Sequence, residues 1–317
     1  MLDKHLIFDD IPGRPSSHCA VITQVPGGLA CVWYAGSQEA AHDVALMISR
    51  YAADCGEWSP PDVLLDTLEK GDGNAVPYYD PETGRLWLFH TVLQNGGWMS
   101  VYLYVCFSDD LGRTWSEPRL FDEQQGMMVR NTLVELSGGR WVLPAYDEKT
   151  WDSFCYLSDD RGETWRRGEI MPADTPLIQP TVVERPDGSL LAYMRTGGEE
   201  RRIWASVSDD GGETWSGCEK TALKNPNSGI DMTKTADGRL VLVFNNIEQG
   251  RSPLHVGFSQ DMGETWPVIR PVESAPGEFS YPSIIQGENG LLHVVYTHRR
   301  QSIAHAVFDT SWLAAEA

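Results

Sequence analysis

Short apolar runs separated by turn residues fill this chain, and the same order of runs returns about every 50 residues along its 317 positions. The second run of each unit follows a glycine-containing turn, and these runs read GLACVWYA, GRLWLFHTV, GRWVLPAY, GSLLAYMR, GRLVLVFNN and GLLHVVYT. Short apolar runs that are rich in branched and aromatic residues and bounded by turns are typical of β-strands, and no long stretch has the 3.6-residue period of a helix. The pattern predicts an all-β chain of six similar units.

An eight-residue motif follows the third run in four of the units: SDDLGRTW from Ser108, SDDRGETW from Ser158, SDDGGETW from Ser208 and SQDMGETW from Ser259. A degenerate copy lies at residues 49–59, and the sixth unit ends without one. The Asp at the third position can accept hydrogen bonds from its own turn, and the Gly two residues later tolerates a positive φ. We therefore expect a hairpin turn at each copy, with the Trp packed between neighbouring units.

These octapeptides resemble the Asp boxes, or BNR repeats, of the sialidase (neuraminidase) superfamily. The resemblance implies a six-bladed β-propeller with Asp-box turns, which agrees with six units of three strands plus an outer fourth. We expect one domain over residues 1–317, in which residues 1–10 supply the strand that closes the ring. The expected blades lie at about 14–60, 72–118, 128–168, 177–218, 228–268 and 279–309.

Composition narrows the possible partners. The chain has 25 Lys and Arg against 45 Asp and Glu, and this net charge of −20 repels nucleic acid and anionic membranes. No basic segment followed by an apolar one opens the sequence, and the six cysteines are scattered without CxxC spacing, so we expect free thiols in the cytoplasm. His and Asp residues lack the spacing of zinc ligands, so we expect neither a catalytic metal nor a cofactor.

Polar side chains gather at one end of the predicted strands. Successive strands run in opposite directions, so the starts of the first strands and the links between second and third strands lie opposite the octapeptide turns. The polar groups there lie at residues 17–18, 74–78, 130–131, 179, 227–231 and 278–281, and at 39–43, 147–148, 195, 245–251 and 298–300. A central depression lined by such groups predicts a ligand site.

The resemblance also suggests roles for individual residues. The family opens its last blade with a tyrosine nucleophile, where EFSYPSII places Tyr281, and RSPLHVGFS places Arg251 at a family arginine. Three family residues are replaced: Ser17 and Trp204 stand for arginines, and Gln179 stands for the glutamate that activates the tyrosine. The three arginines that bind a carboxylate in the family are therefore not visible as a set.

Two groups of candidate residues follow. The candidates for nucleophilic and acid–base chemistry are Tyr281, His18, Asp43 and Asp231. The candidates for substrate binding are Arg195, Arg251, Arg299, Gln179, Asn131, Asn227, Asn245, Glu278 and His42. A tyrosine nucleophile needs a base, for which Glu278 or Asp231 is available, and the family's acid corresponds to Asp43 or to Glu39. A histidine can act as acid or base near neutral pH, and the ring geometry places His18 close to Tyr281.

Three functions fit this pattern, all with a small carbohydrate or oligosaccharide that carries a carboxylate. The first is a sialidase-like, exo-acting glycoside hydrolase for a terminal acidic or deoxy sugar. The second is a β-eliminating lyase for a uronic-acid glycoside, with His18 or Tyr281 as base and an arginine or amide on the carboxylate. The third is a propeller that binds a glycan without cleaving it.

Overall fold

The computed structural model describes residues 1–95 and 97–314, and it confirms the six-bladed β-propeller. Each blade is an antiparallel sheet, and in blades 1 to 5 the strands follow the chain from the central channel outward. Blade 1 contains β2 (Ser16–Val25), β3 (Gly28–Gly36), β4 (Ala45–Ala52), β5 (Glu57–Trp58) and β6 (Asp62–Leu65). Blade 2 contains β7 (Asp72–Asp80), β8 (Arg85–Val92), β9 (Tyr102–Ser108) and β10 (Arg119–Asp122).

The third, fourth and fifth blades repeat this arrangement. Blade 3 contains β11 (Met127–Val129), β12 (Val134–Glu135), β13 (Trp141–Asp147), β14 (Asp152–Ser158) and β15 (Arg166–Arg167). Blade 4 contains β16 (Leu177–Glu184), β17 (Leu190–Thr196), β18 (Arg202–Ser208) and β19 (Glu219–Lys224). Blade 5 contains β20 (Asp231–Lys234), β21 (Leu240–Phe244), β22 (Leu254–Ser259) and β23 (Val268–Glu273).

Blade 6 combines strands from the two ends of the described chain. It contains β24 (Phe279–Gln286), β25 (Leu292–His298) and β26 (Ser302–Phe308), and its outer strand is β1 (Leu2–Leu6). The pairing of β1 with β26 runs from Leu2 opposite Phe308 to Leu6 opposite Ala304 and closes the ring. Helical segments are short, namely a 3₁₀ turn at Trp98–Ser100 and α1 at Thr310–Ala314. No helix in the described ranges is long and apolar enough to span a membrane.

The octapeptides form the expected turns, each of which begins at the last residue of a third strand. At the first copy, Ser108 Oγ donates to Asp110 Oδ1 (2.7 Å) and accepts from the Gly112 amide (2.8 Å). The amide and hydroxyl of Thr114 donate to the two oxygens of Asp110, at 2.8 and 2.7 Å. The motif tryptophans pack against apolar clusters that join their own blade to the preceding one; they are Trp115, Trp165, Trp215 and Trp266.

Bulges interrupt the innermost strands where these enter the ring. The pairing register shifts between His18 and Val21 in β2, and the same irregularity occurs in β16 and β24. Three bulge residues, Cys19, Gln179 and Tyr281, have φ of 58°, 56° and 52°. Bulges of this kind reverse the side-chain alternation locally and redirect side chains near functional sites. They turn Gln179 and Tyr281 toward the mouth of the central channel.

Candidate active site

A pocket of about 240 Å³ opens at the mouth of the central channel, opposite the octapeptide turns. Its lining includes a tyrosine, three arginines, two glutamates and four further aromatic residues. The charged, amide and aromatic residues of the lining are Tyr34, Glu39, Trp98, Tyr146, Glu148, Trp151, Gln179, Arg195, Arg251, Tyr281 and Arg300. Charged and aromatic groups converging on one small cavity define the candidate site.

A larger groove of about 600 Å³ lies at the outer edge between blades 4 and 5. Its aromatic residues Tyr193 and Trp266 already bond to each other, because Trp266 Nε1 donates to Tyr193 Oη at 3.2 Å. Cavity size alone favours this groove, but it lacks the converging guanidinium groups of the central pocket. The chemistry therefore places the site at the channel mouth.

Tyr281 stands at the centre of the pocket. Arg195 Nη1 donates a hydrogen bond of 2.5 Å to the Tyr281 hydroxyl oxygen. The guanidinium carbons of Arg130, Arg195 and Arg251 lie 5.5, 5.6 and 5.2 Å from the centre of its ring. Cations at these distances attract an aromatic face, and a cationic donor on the phenol oxygen stabilises negative charge there. The environment favours a tyrosine oxygen that acts as an acceptor or a nucleophile.

Arg195 is held by neutral oxygens. Its Nε donates to Asn227 Oδ1 at 2.8 Å and its Nη1 to Gln179 Oε1 at 3.1 Å, in addition to Tyr281. Gln179 in turn donates to the Tyr146 hydroxyl at 3.3 Å. No carboxylate of the described chain forms an ion pair with Arg195. This guanidinium keeps an uncompensated charge for an anionic ligand.

The other two arginines of the pocket, Arg251 and Arg300, form a continuous series of ion pairs with Glu278 and Glu39. Arg251 donates to Glu278 at 2.8 Å, and Arg300 Nε donates to the same oxygen at 3.0 Å. Arg300 also forms an ion pair with Glu39 from the link between β3 and β4. Burial alone would raise the pKa of Glu278, but the two guanidinium groups outweigh it and hold that pKa below its usual value. Glu278 is therefore ionised and holds both arginines at the rim.

His18 lies close to Tyr281, as the ring geometry predicts, with ring centroids 4.3 Å apart. It is fully buried, and its Nδ1 is 2.8 Å from Thr297 Oγ1. Burial lowers its pKa well below the ordinary value, and Arg300 and Arg251 lower it further. His18 is absent from the pocket lining, so it packs behind Tyr281 as a neutral imidazole.

Glu148 contributes a half-buried carboxyl group to the pocket beside an aromatic wall. Burial raises its pKa to about 7; Arg195 opposes this shift, and Asp147 and Glu39 add to it. The wall consists of Tyr34, Trp98, Tyr146 and Trp151. The Arg195 guanidinium carbon lies 5.8 Å from the centre of the Trp151 ring, so the aromatic wall adjoins the arginine.

Three predicted residues, Asp43, His42 and Arg299, are exposed and lie outside the pocket lining. The carboxylate of Asp43 accepts hydrogen bonds from the amide and hydroxyl of Ser37, at 3.0 and 2.9 Å, and stays in its exposed loop. His42 is exposed and its Nδ1 is 3.1 Å from the Glu69 carbonyl. Arg299 is also exposed and lies over the Phe279 ring. Of the adjacent pair, Arg300 is the one that enters the pocket.

Three further predicted residues are buried and tie the blades together. Asp231 accepts bonds from Thr181 Oγ1 and from the Ile284 amide, both at 2.9 Å. Asn131 donates to the carbonyls of residues 179 and 180 at 3.0 and 2.9 Å. Asn245 donates to the carbonyls of residues 253 and 279 at 2.9 and 3.0 Å. These contacts join neighbouring blades beneath the pocket.

Arg130 is a residue of the channel that the sequence interpretation did not select. It is 1% exposed and donates to the carbonyl oxygens of Ile230 (2.9 Å) and Pro282. It thus connects blades 3, 5 and 6 and places a buried cation below the Tyr281 ring. The position of Arg130 beside the inner strand of blade 3 is the sequence feature that could have identified it as a channel residue.

No group of three or more His, Cys, Asp or Glu side chains in the described ranges is arranged to hold a metal ion.

Comparison with known proteins agrees with this geometry. A family model for the BNR repeat-like domain matches residues 27–294, and the chain belongs to this family within the sialidase superfamily. The anhydrosialidase of Macrobdella decora is 28% identical over 228 residues, which cover 62% of this chain and 30% of the relative. The sialidase of Micromonospora viridifaciens is 24% identical over 366 aligned positions, which cover 98% of this chain and 54% of the relative. The chain thus spans from under a third to about half of these relatives.

A solved structure shows the same fold over nearly the whole chain. A Hadza microbial sialidase superposes with a TM-score of 0.84 at 18% identity, over 98% of this chain and 69% of that chain. Identity this low speaks for the fold alone. The chemistry of this chain depends on the residues of its own pocket.

Proposed function

We propose that this protein is a sialidase-like glycoside hydrolase that removes a terminal acidic sugar from a glycan. One observation carries the proposal: Arg195, Arg251 and Arg300 share a small pocket with the Tyr281 hydroxyl. Guanidinium groups bind carboxylates through paired, charge-assisted hydrogen bonds. The names of the two curated relatives, a sialidase and an anhydrosialidase, support the same class of reaction.

In this proposal the arginines orient the sugar. Arg195, which has no carboxylate partner in the described chain, and Arg251 receive the substrate carboxylate. Arg300 enters from the link between β25 and β26 and provides the third guanidinium. It supplies the charge that the first blade lacks, where Ser17 stands in place of an arginine. The ion pairs of Glu278 with Arg251 and Arg300 keep both arginines in position before the substrate binds.

Tyr281 then attacks the anomeric carbon. As it attacks, the phenol passes its proton to solvent water. Its oxygen accepts a hydrogen bond from Arg195, and nearby guanidinium groups stabilise the negative charge that develops on it. A tyrosine nucleophile is a known exception among glycosidases. Water would release the sugar from Tyr281 in a second step.

Elimination from a uronic-acid glycoside is the second candidate. Gln179, an amide that bonds Arg195, stands where a carboxylate would activate the tyrosine. A Tyr281 without that carboxylate suits a base that removes the proton next to an arginine-bound carboxylate. Binding without cleavage is the third outcome.

One screen separates these possibilities. Purified protein is incubated with sialosides, rhamnosides and uronate-containing oligosaccharides, and the products are read by reducing-sugar release and by the ultraviolet absorbance of an unsaturated uronate. Reducing sugar from a sialoside without new absorbance supports the hydrolase. Absorbance from the uronate series supports the lyase, and saturable binding without either signal supports a glycan-binding propeller.

A further inference from the structure

The pocket contains two carboxyl groups, Glu39 and Glu148, and a third, Glu278, adjoins them. Glu39 is paired with Arg300, and Glu278 is paired with both Arg251 and Arg300. Although burial opposes it, Arg251 and Arg300 hold the pKa of Glu278 below its usual value, so this carboxylate is a poor proton donor. The Glu39 carboxylate is occupied by its ion pair with Arg300. Asp43 is bonded to Ser37 outside the pocket lining, so it offers no proton there either.

Glu148 differs from these groups because its carboxyl has no hydrogen-bond or ion-pair partner within residues 1–95 and 97–314. It follows directly after β13, and its amide donates to the Gly126 carbonyl at 2.8 Å, which fixes the backbone. Burial raises the pKa of the side chain to about 7, so both protonation states are populated at neutral pH. This is the condition under which one group can first give and then take a proton.

Glu148 and Tyr281 line the same pocket, and Tyr146 lies near both. Tyr146 stands within the electrostatic influence of both: burial raises the pKa of Tyr146, and Glu148 and Tyr281 raise it further. The Arg195 guanidinium carbon lies 5.6 Å from the Tyr281 ring and 5.8 Å from the Trp151 ring beside Glu148. Because Arg195, Tyr281 and Glu148 line one cavity of about 240 Å³, a sugar whose carboxylate is held by Arg195 has both the Tyr281 oxygen and the Glu148 carboxyl within the same small space.

We propose that Glu148 is the acid–base residue of the site, which protonates the glycosidic oxygen as Tyr281 attacks. In the first step the C–O bond to the leaving group breaks, its electron pair stays on the oxygen, and the Glu148 proton moves to it. In the second step the Glu148 carboxylate takes a proton from water, whose oxygen forms a bond to the anomeric carbon as the bond to Tyr281 breaks. Tyr281 leaves as a phenolate and regains its proton from solvent. The inference rests on the proposed hydrolase activity.

Leaving-group dependence tests this role. An alcohol leaving group needs protonation, whereas 4-nitrophenolate does not. We expect Glu148→Gln to lower kcat/KM about 10²-fold or more on sialyllactose, and less than about tenfold on 4-nitrophenyl sialoside. Glu39→Gln is the matched control, because it frees Arg300, which binds the carboxylate common to both substrates. Its losses should be equal on the two substrates.

The pH profile of the wild-type protein provides a second measurement that needs no variant. With Glu148 as the acid, kcat/KM on sialyllactose falls as pH rises above about 7, because kcat/KM reports the ionisation of the free enzyme. This fall is absent for 4-nitrophenyl sialoside. Equal losses on both substrates in Glu148→Gln, or a selective loss in Glu39→Gln instead, would overturn the role of Glu148 while leaving the hydrolase intact. A wild-type protein that cleaves neither sialoside overturns the proposed function and this inference together.

Discussion

The hydroxyl oxygen of Tyr281 lies 2.5 Å from Nη1 of Arg195, at the centre of the pocket. This contact uses a charged donor from β17 and a tyrosine that a bulge in β24 turns toward the channel mouth. Since Arg195 has no carboxylate partner in the described chain, the tyrosine and a ligand share one guanidinium. The contact links substrate binding to the reactive oxygen.

Replacing that oxygen should remove activity without unfolding the protein. We expect Tyr281→Phe to lower kcat on a sialoside about 10²-fold or more, with only a small change in melting temperature. Tyr79→Phe is the control, since Tyr79 is half-buried in the same class of environment but outside the pocket lining. Near-normal turnover in Tyr281→Phe would show that the nucleophile is another group.

Arg251 lines the pocket and Arg299 is exposed outside it, so replacing each one separates substrate binding from a general effect of charge. We expect Arg251→Gln to lower kcat/KM for an acidic substrate by about 10- to 100-fold, since one charge-assisted hydrogen bond contributes roughly 1.5–3 kcal/mol. Arg299→Gln, a change of the same kind on an exposed arginine nearby, should stay within about twofold. Similar losses in both variants would indicate a general effect of surface charge.

Asp231 is expected to stabilise the fold rather than take part in the reaction. Its two oxygens accept bonds from the Ile284 amide, the Met232 amide and Thr181. In Asp231→Asn an NH₂ group replaces one accepting oxygen and points at a hydrogen-bond donor. This should lower the free energy of unfolding, measured in urea, by about 1–3 kcal/mol. The exposed Asp174→Asn is the control, and kcat of the folded Asp231→Asn protein should be unchanged. A selective fall in kcat would restore Asp231 as a catalytic candidate.

A stack of histidines makes the ring closure sensitive to acid. His293 Nδ1 lies 3.0 Å from His305 Nε2, and His305 Nδ1 lies 3.2 Å from Nε2 of His5 in the closing strand. Burial lowers the pKa of His293 to about 4, below its unfolded value of about 6.5. Between these two values His293 binds a proton in the unfolded chain but not in the folded protein. The free energy of unfolding therefore falls as the pH drops from about 6.5 to 4.

Chemical unfolding at a series of pH values measures this loss. Complete passage through that range costs about 3 kcal/mol for a pKa difference of this size. We expect His293→Gln to lose less stability than the wild type between pH 7 and 4.5, while His42→Gln, on an exposed loop, keeps the wild-type slope. A wild-type slope in His293→Gln would mean that the stack does not couple ring closure to pH.

The propeller could be predicted because its signals are local and repeated. Each octapeptide satisfies its own turn, as the Ser108 and Asp110 contacts show, so four copies define the blade spacing without reference to distant residues. The starts of the inner strands also identified Tyr281 and Gln179, which both line the pocket.

Side-chain direction at the site could not be read from alternation. Bulges at Cys19, Gln179 and Tyr281 interrupt the two-residue period where the strands enter the ring. Arg299 and Arg300 have nearly equal φ, 56° and 57°, and only the fold of their turn decides which one enters the pocket. The role of Glu148 depends on which neighbouring carboxylates find arginine partners, and that pairing exists only in three dimensions.

The most direct test of an arginine-bound acidic substrate compares a sialoside with its methyl ester, using the wild-type protein and measuring kcat/KM from released sugar. The ester keeps the sugar and the leaving group but removes the charge that Arg195, Arg251 and Arg300 are proposed to bind. We predict cleavage of the acid and at least about tenfold lower kcat/KM for the ester, the effect of losing one charge-assisted hydrogen bond. Equal rates on the two substrates, or no cleavage of either, would contradict the account.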